Sequence, residues 1–167
     1  MSLGNGQVKS VKSSDTFQQA LRLLHQGRAQ EAITLLEPLY KRNPDNLEVS
    51  VNLSGAYILE ARYDEARDLL EKAAQQDPNN VNVWVNLGAA RLSSLEKSSP
   101  QQQEQAIEAY QQALALDPKA PNVHYMLGLI CRVRKEKLRA TAHFTRALEQ
   151  NPNDKDARRM LQAIAKQ

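Results

Sequence analysis

The chain has 167 residues, 41% hydrophobic and 25% charged, enough to bury a core without disulfides or metal, and its single cysteine, Cys131, excludes an internal disulfide. A composition rich in Ala, Leu and Gln, with 6 Gly and 5% aromatics, suits packed helices better than sheets. The net charge of +3 hides a polarity: residues 51–130 carry 6 Lys/Arg against 10 Asp/Glu, whereas residues 131–167 carry 10 against 4. No run of about eighteen apolar residues occurs, so no membrane-spanning helix is expected. The N-terminal residues lack the apolar centre of a secretory signal, and a cytoplasmic location is expected.

In chain order, residues 1–12 read as a flexible segment. Beyond them, Pro44, Pro78, Pro118 and Pro152 recur at spacings of 34, 40 and 34 residues, each after Asn or Asp. A period in the thirties is the signature of a stacked helical hairpin. Proline disfavours helical geometry in the residue before it, so each Asn/Asp-Pro step should end one helix and release the next. The repeats run 13–46, 47–80, 81–120 and 121–154, and 155–167 forms a last helix with Met160, Leu161 and Ile164 against the preceding face. Small residues should mark where helices approach most closely: Ala20 with Ala32, Ser54 with Ala66, Gly88 with Ala106, and Gly128 with Ala140. Tyr57, Tyr110 and Phe144 are large enough to fill the gaps between helices. The third repeat carries six extra residues within 93–105. There Ser99-Pro100-Gln101-Gln102 reads as a helix start, and the insertion should lengthen the hairpin beyond its neighbours.

Trp84, Leu87 and Gly88, followed by Ala106, Tyr110, Ala113 and Pro118, largely reproduce the pattern of the tetratricopeptide repeat. Leu127, Gly128, Ala140, Phe144, Ala147 and Pro152 do so again, as do Leu53, Tyr57, Ala66, Leu70, Ala73 and Pro78. From about residue 14 the chain therefore resembles that family. The first repeat departs from the pattern, with Thr16 and Leu36 in aromatic positions and Pro38 inside its second helix, and reads as a worn terminal repeat. The resemblance implies an all-α, right-handed α-solenoid of helix-turn-helix hairpins with a C-terminal capping helix. It also implies a concave face lined by the first helix of each hairpin. The residues expected there are Phe17, Leu21, Val51, Asn52, Gly55, Ile58, Val85, Asn86, Ala89, Tyr125 and Leu129, an apolar wall with two amides to fix a ligand's register. The carboxylate clamp by which some members hold chaperone C-termini needs cations. This chain has Phe17, Leu21, Asn52, Asn82 and Asn86 in one register, and Val51, Gly55, Asn86, Asn122 and Met126 in the other. That activity is not expected.

No catalytic constellation stands out. His25, His124 and His143 fall on different helices, His124 takes the slot of Trp84, and Cys131 the slot of Tyr57; packing roles are expected for both. No phosphate loop, Cys-x-x-Cys or Gly-x-Ser-x-Gly occurs, so neither an enzyme nor a cofactor or metal is expected. A basic patch comprises Arg132, Arg134, Lys135, Lys137, Arg139, Arg158 and Arg159. It suits a solvated hairpin tip or an acidic protein segment better than nucleic acid, since only Tyr125 is near enough to stack. The expected function is protein–protein interaction, as adaptor, co-chaperone or assembly factor binding a peptide or helix of a partner. The alternative is a scaffold that forms homo-oligomers through the ends of the stack or the extended third hairpin.

Overall fold

The computed structural model describes the backbone of residues 5–166 and the side chains of residues 14–166. Among the described residues all regular structure is helical: α1 (Asn5–His25), α2 (Ala29–Arg42), α3 (Leu47–Leu59), α4 (Tyr63–Gln76), α5 (Val81–Leu92), α6 (Pro100–Leu116), α7 (Val123–Val133), α8 (Lys137–Gln150) and α9 (Lys155–Ala165). The segment 1–12 falls partly on residues 1–4, outside the described residues, and partly on the first turns of α1, whose side chains also lie outside them.

The prolines act as the sequence implies. Asn43, Asp77, Asp117 and Asn151 each donate a last N–H to the carbonyl four residues back, at 2.8–3.1 Å. Each then turns extended, with ψ between 86° and 105°, as the following proline requires. The next helix restarts on a side-chain cap in three places. Asn46 accepts from Val49 N, Asn80 from Asn82 N and Val83 N, and Asp154 from Asp156 N and Ala157 N. Ser99 forms the expected capping box with Gln102, and Pro100 occupies the first turn of α6.

The chain divides into two compact units, one ending at Pro78 and the other beginning at Asn79. In the first, α1 packs on α2, α2 on α3 and α3 on α4. Ala20, Ala32, Ile33, Leu36, Leu53, Ala56 and Leu70 are fully buried there. Tyr57 ties its hairpin to the one before: its hydroxyl donates to Glu37 Oε1 at 2.9 Å, and Arg62 lies 4.2 Å above its ring and 3.4 Å from the same carboxylate. Burial, and then the bond to Glu37, push the Tyr57 hydroxyl up to about 12.

In the second unit α5 packs on α6, α6 on α7, α7 on α8 and α8 on α9. One core gathers Tyr110, Val123, Leu127 and Ile130; another gathers Cys131, Phe144, Ala157 and Ile164, with Met160 and Leu161 packed against it. The last helix thus covers the end of the fourth hairpin as expected. Cys131 is buried, and burial pushes its thiol up, in keeping with a packing role. The close-approach glycines face rings more tightly than alanines. A Cβ on Gly88 would stand 2.6 Å from Tyr110 Cε1, and one on Gly128 would stand 2.7 Å from Phe144 Cε1.

The six-residue insertion lengthens α6 to 17 residues, against 14 for α2, α4 and α8. The rest of it does not stand free. Leu95 packs on the core, Ser98 is buried, and Gln103 Nε2 donates to Ser98 O at 3.2 Å. A polar loop with one apolar anchor and its own hydrogen bonds lies more stably on its hairpin than in water.

Candidate protein-interaction site

The first helices carry the expected apolar positions, and each unit presents its own set. On α1 and α3, Leu21, Val51, Asn52, Gly55 and Ile58 are all half-buried. Phe17 differs: at 8% exposure it belongs to the core, not to an accessible face. α1 packs against both α2 and α3, and a ring is large enough to be covered where valine in the next two repeats stays partly open. Asn52 Nδ2 donates to Glu48 O at 2.8 Å, so one N–H of its amide is engaged by its own helix, and the second N–H and the carbonyl oxygen are left to offer.

On α5 and α7, Val85, Asn86, Ala89, Tyr125 and Leu129 are likewise half-buried. Their inner sides support the core. Val85 packs on the Tyr110 cluster, and Tyr125 and Leu129 pack on the Phe144 cluster, with the Tyr125 and Phe144 rings 5.7 Å apart and tilted by 59°. Tyr125 also lines a cleft of about 210 Å³ with Asn122, Gln150 and Asp154 among its walls. Burial is the main cause raising its hydroxyl. The Asn86 side chain makes no hydrogen bond among the described residues, which leaves both halves of its amide for a ligand backbone.

The basic patch is smaller than its sequence suggests. Arg134 is committed to the insertion, donating from Nε to Gln103 Oε1 at 2.9 Å and pairing with Glu104 at 3.0 Å. Arg139 pairs with Glu136 at 2.7 Å and Arg159 with Asp156 at 2.8 Å, while Arg158 donates to Pro152 O at 2.6 Å. All four of these cations thus have partners within the chain: Arg139 and Arg159 at three-residue spacing on their own helices, Arg158 across a turn, and Arg134 on another helix, 30 and 31 residues away. Arg132, Lys135 and Lys137 remain exposed and form no ion pair with a described carboxylate.

Sequence reading missed one association. His124 on α7 and His143 on α8 meet at 3.1 Å between their Nδ1 atoms, and burial holds both imidazoles below the ordinary value. The signal lay in the repeat register: in the second repeat the same two places hold Ser50 and Leu69, both buried. No group of three or more His, Cys, Asp or Glu suited to a metal occurs among the described residues. No described helix is long and apolar enough to cross a membrane.

Paired helices ended by Asn/Asp-Pro steps and exposing first-helix side chains define a helical-hairpin repeat, a class that serves as protein-interaction or scaffold modules. The tetratricopeptide repeat model matches residues 23–90, and a second TPR repeat model matches residues 99–131. The chain belongs to the tetratricopeptide repeat family. Solved structures share its fold. MamA 41-end from Desulfovibrio magneticus RS-1 is 24% identical over 86% of this chain and 78% of its own, with a TM-score of 0.70. MamA AMB-1 is 28% identical over 82% of this chain and 78% of its own, with a TM-score of 0.66. A thermophilic TPR protein in Thermus thermophilus is 18% identical over 93% of this chain and all of its own, with a TM-score of 0.67. No curated protein matches the chain in sequence.

Proposed function

We propose that the chain works by binding rather than catalysis, as an adaptor, co-chaperone or assembly factor that takes a segment of a partner protein on the first-helix faces of its hairpins. Asn86 carries this reading. A half-buried amide with no partner of its own, flanked by Val85 and Ala89, suits a peptide backbone that brings its own donor and acceptor. On the first unit Val51, Gly55 and Ile58 supply the matching apolar surface, and on the second Tyr125 and Leu129 supply it. An amphipathic helix or extended apolar peptide fits such a surface better than a charged C-terminus, because none of these positions is a cation.

The test compares wild type with Asn86→Ala and Ile58→Ser in cross-linking of partners from a native extract, followed by titration of the captured protein. Each substitution should cost about 1–3 kcal/mol of binding at a true contact while thermal unfolding stays close to wild type. Equal capture and equal affinity for both variants would remove the first-helix faces from the account.

A further inference from the structure

We infer that the turn between α7 and α8 is a second docking site, one that takes an acidic segment of a partner protein carrying an apolar anchor. The site is a cleft of about 390 Å³ lined by Arg132, Lys135, Lys137, Ala140 and Ile164. Ala140 and Ile164 are buried and give it an apolar floor, while the three cations are exposed. Arg132 Nη1 reaches only the weak acceptor Met160 Sδ, at 3.1 Å.

Comparison with the turns of the first two hairpins shows what is missing here, while α6, which follows the insertion, likewise opens without acid. Arg28 before α2 pairs with Glu31, and Arg62 before α4 pairs with Glu65, so those helices carry acid in their first turn, where the helix dipole favours it. Before α8 the pair is reversed to Glu136 and Arg139. The first turn of α8 then holds Lys137, Leu138 and Arg139 with no acid, and Leu138 is 86% exposed. The same turn places Lys135 at φ 61°, the position held by Gly27 at φ 72° and Ala61 at φ 57°. A lysine there is strained where glycine would not be. Three unmatched cations, one of them in a disfavoured conformation, beside an apolar floor complement carboxylates borne on an apolar peptide. The floor argues for protein over nucleic acid, because no aromatic side chain lines the cleft to stack a base.

The probe is a short labelled peptide of glutamates and leucines, with a matched peptide of glutamines and leucines and a polyuridylate oligonucleotide alongside. Binding of the acidic peptide, measured by fluorescence anisotropy, should weaken about tenfold in Lys135→Gly and in Lys137→Gln. Lys135→Gly should at the same time raise the melting temperature, so that the loss is not a loss of fold. The paired change Lys41→Gln with Arg42→Gln, two exposed cations ending α2, should leave affinity within about twofold. The site is refuted if the acidic peptide does not bind, if the glutamine peptide binds as well, if the α2 pair weakens binding equally, or if the oligonucleotide binds more tightly than the peptide. None of these readouts depends on Asn86 or Ile58, so this site and the first-helix faces stand or fall separately.

Discussion

His124 and His143 share one hydrogen bond between like atoms: the two Nδ1 nitrogens lie 3.1 Å apart while the ring centroids are 5.4 Å apart. The centroid separation exceeds the nitrogen separation by twice the distance from ring centre to nitrogen, so the rings meet head-on. One nitrogen must donate and the other accept, and the acceptor cannot also carry a proton. Lone pairs aimed at each other do not converge on a common metal, so the geometry is that of a shared proton.

Acid should therefore loosen the fourth hairpin. Both imidazoles sit below their ordinary 6.5, chiefly through burial, with Arg146 acting on His124 and with His124, Arg139 and Arg146 acting on His143. Glu149 opposes the shift at His124, and Lys119 lines the same cleft. The unfolded chain takes up protons as the pH falls through 6.5, and the folded chain resists until lower pH. Stability is thus full above 6.5 and is lost as the pH drops from there through the folded values. Thermal unfolding between pH 7.5 and 5.0 should show this decline, with a shallower slope in His143→Leu. An unchanged slope would assign the acid sensitivity elsewhere.

Gly88 and Gly128 should be intolerant of a methyl group. The rings they face, Tyr110 and Phe144, are fully buried and cannot retreat. Gly88→Ala should cost about 1–2 kcal/mol, the overpacking outweighing the gain of about 1 kcal/mol in helix propensity. In the same register, the first two hairpins set Ala20 with Leu36 and Ser54 with Leu70. Tyr110→Leu in the Gly88→Ala background should therefore recover part of the loss. Urea unfolding of both singles and the double should give a coupling of about 1 kcal/mol or more.

Tyr110 also carries a hydroxyl with no hydrogen-bond partner among the described residues, and burial raises it far above the ordinary phenol value. Such a group loses its water and gains nothing in return. Tyr110→Phe should be stabilising by about 1 kcal/mol, seen as a higher urea midpoint at unchanged slope. A loss of stability would mean that a bound water satisfies the hydroxyl.

The helix boundaries were legible because they are local: an Asn/Asp-Pro step or a Ser99–Gln102 box acts within four residues, and the repeat confirms each by the next. Side-chain partners were harder to read as they lay farther apart. Arg134 reads as one of a run of cations, yet its partner Gln103 is 31 residues away on a helix placed by the insertion, the one stretch without a repeat to calibrate it. Phe17 follows the same periodicity as Val51 and Val85, and periodicity fixes direction without telling how far a larger side chain reaches toward cover. On the first-helix faces the residues named by the pattern are half-buried apart from Phe17, and the bond of Asn52 to its own helix is what distinguishes it from Asn86.

The tie between Tyr57 and Glu37 offers a measure of how firmly neighbouring hairpins of the first unit hold together. The bond joins α3 to α2 across 20 residues and is reinforced by Arg62, which touches both the ring and the carboxylate. Hydrogen bonds to charged groups are stronger than neutral ones, but the Glu37 side chain is 32% exposed and water competes for it. Tyr57→Phe should cost about 1 kcal/mol. Glu37→Ala should cost a similar amount, and the double substitution less than the two together, because each single change already forfeits the shared bond. Arg62 would remain over the ring in Tyr57→Phe and retain its cation–π contact. Additive losses in urea unfolding would show that the two residues act independently, and that packing between α2 and α3 holds the hairpins without this bond.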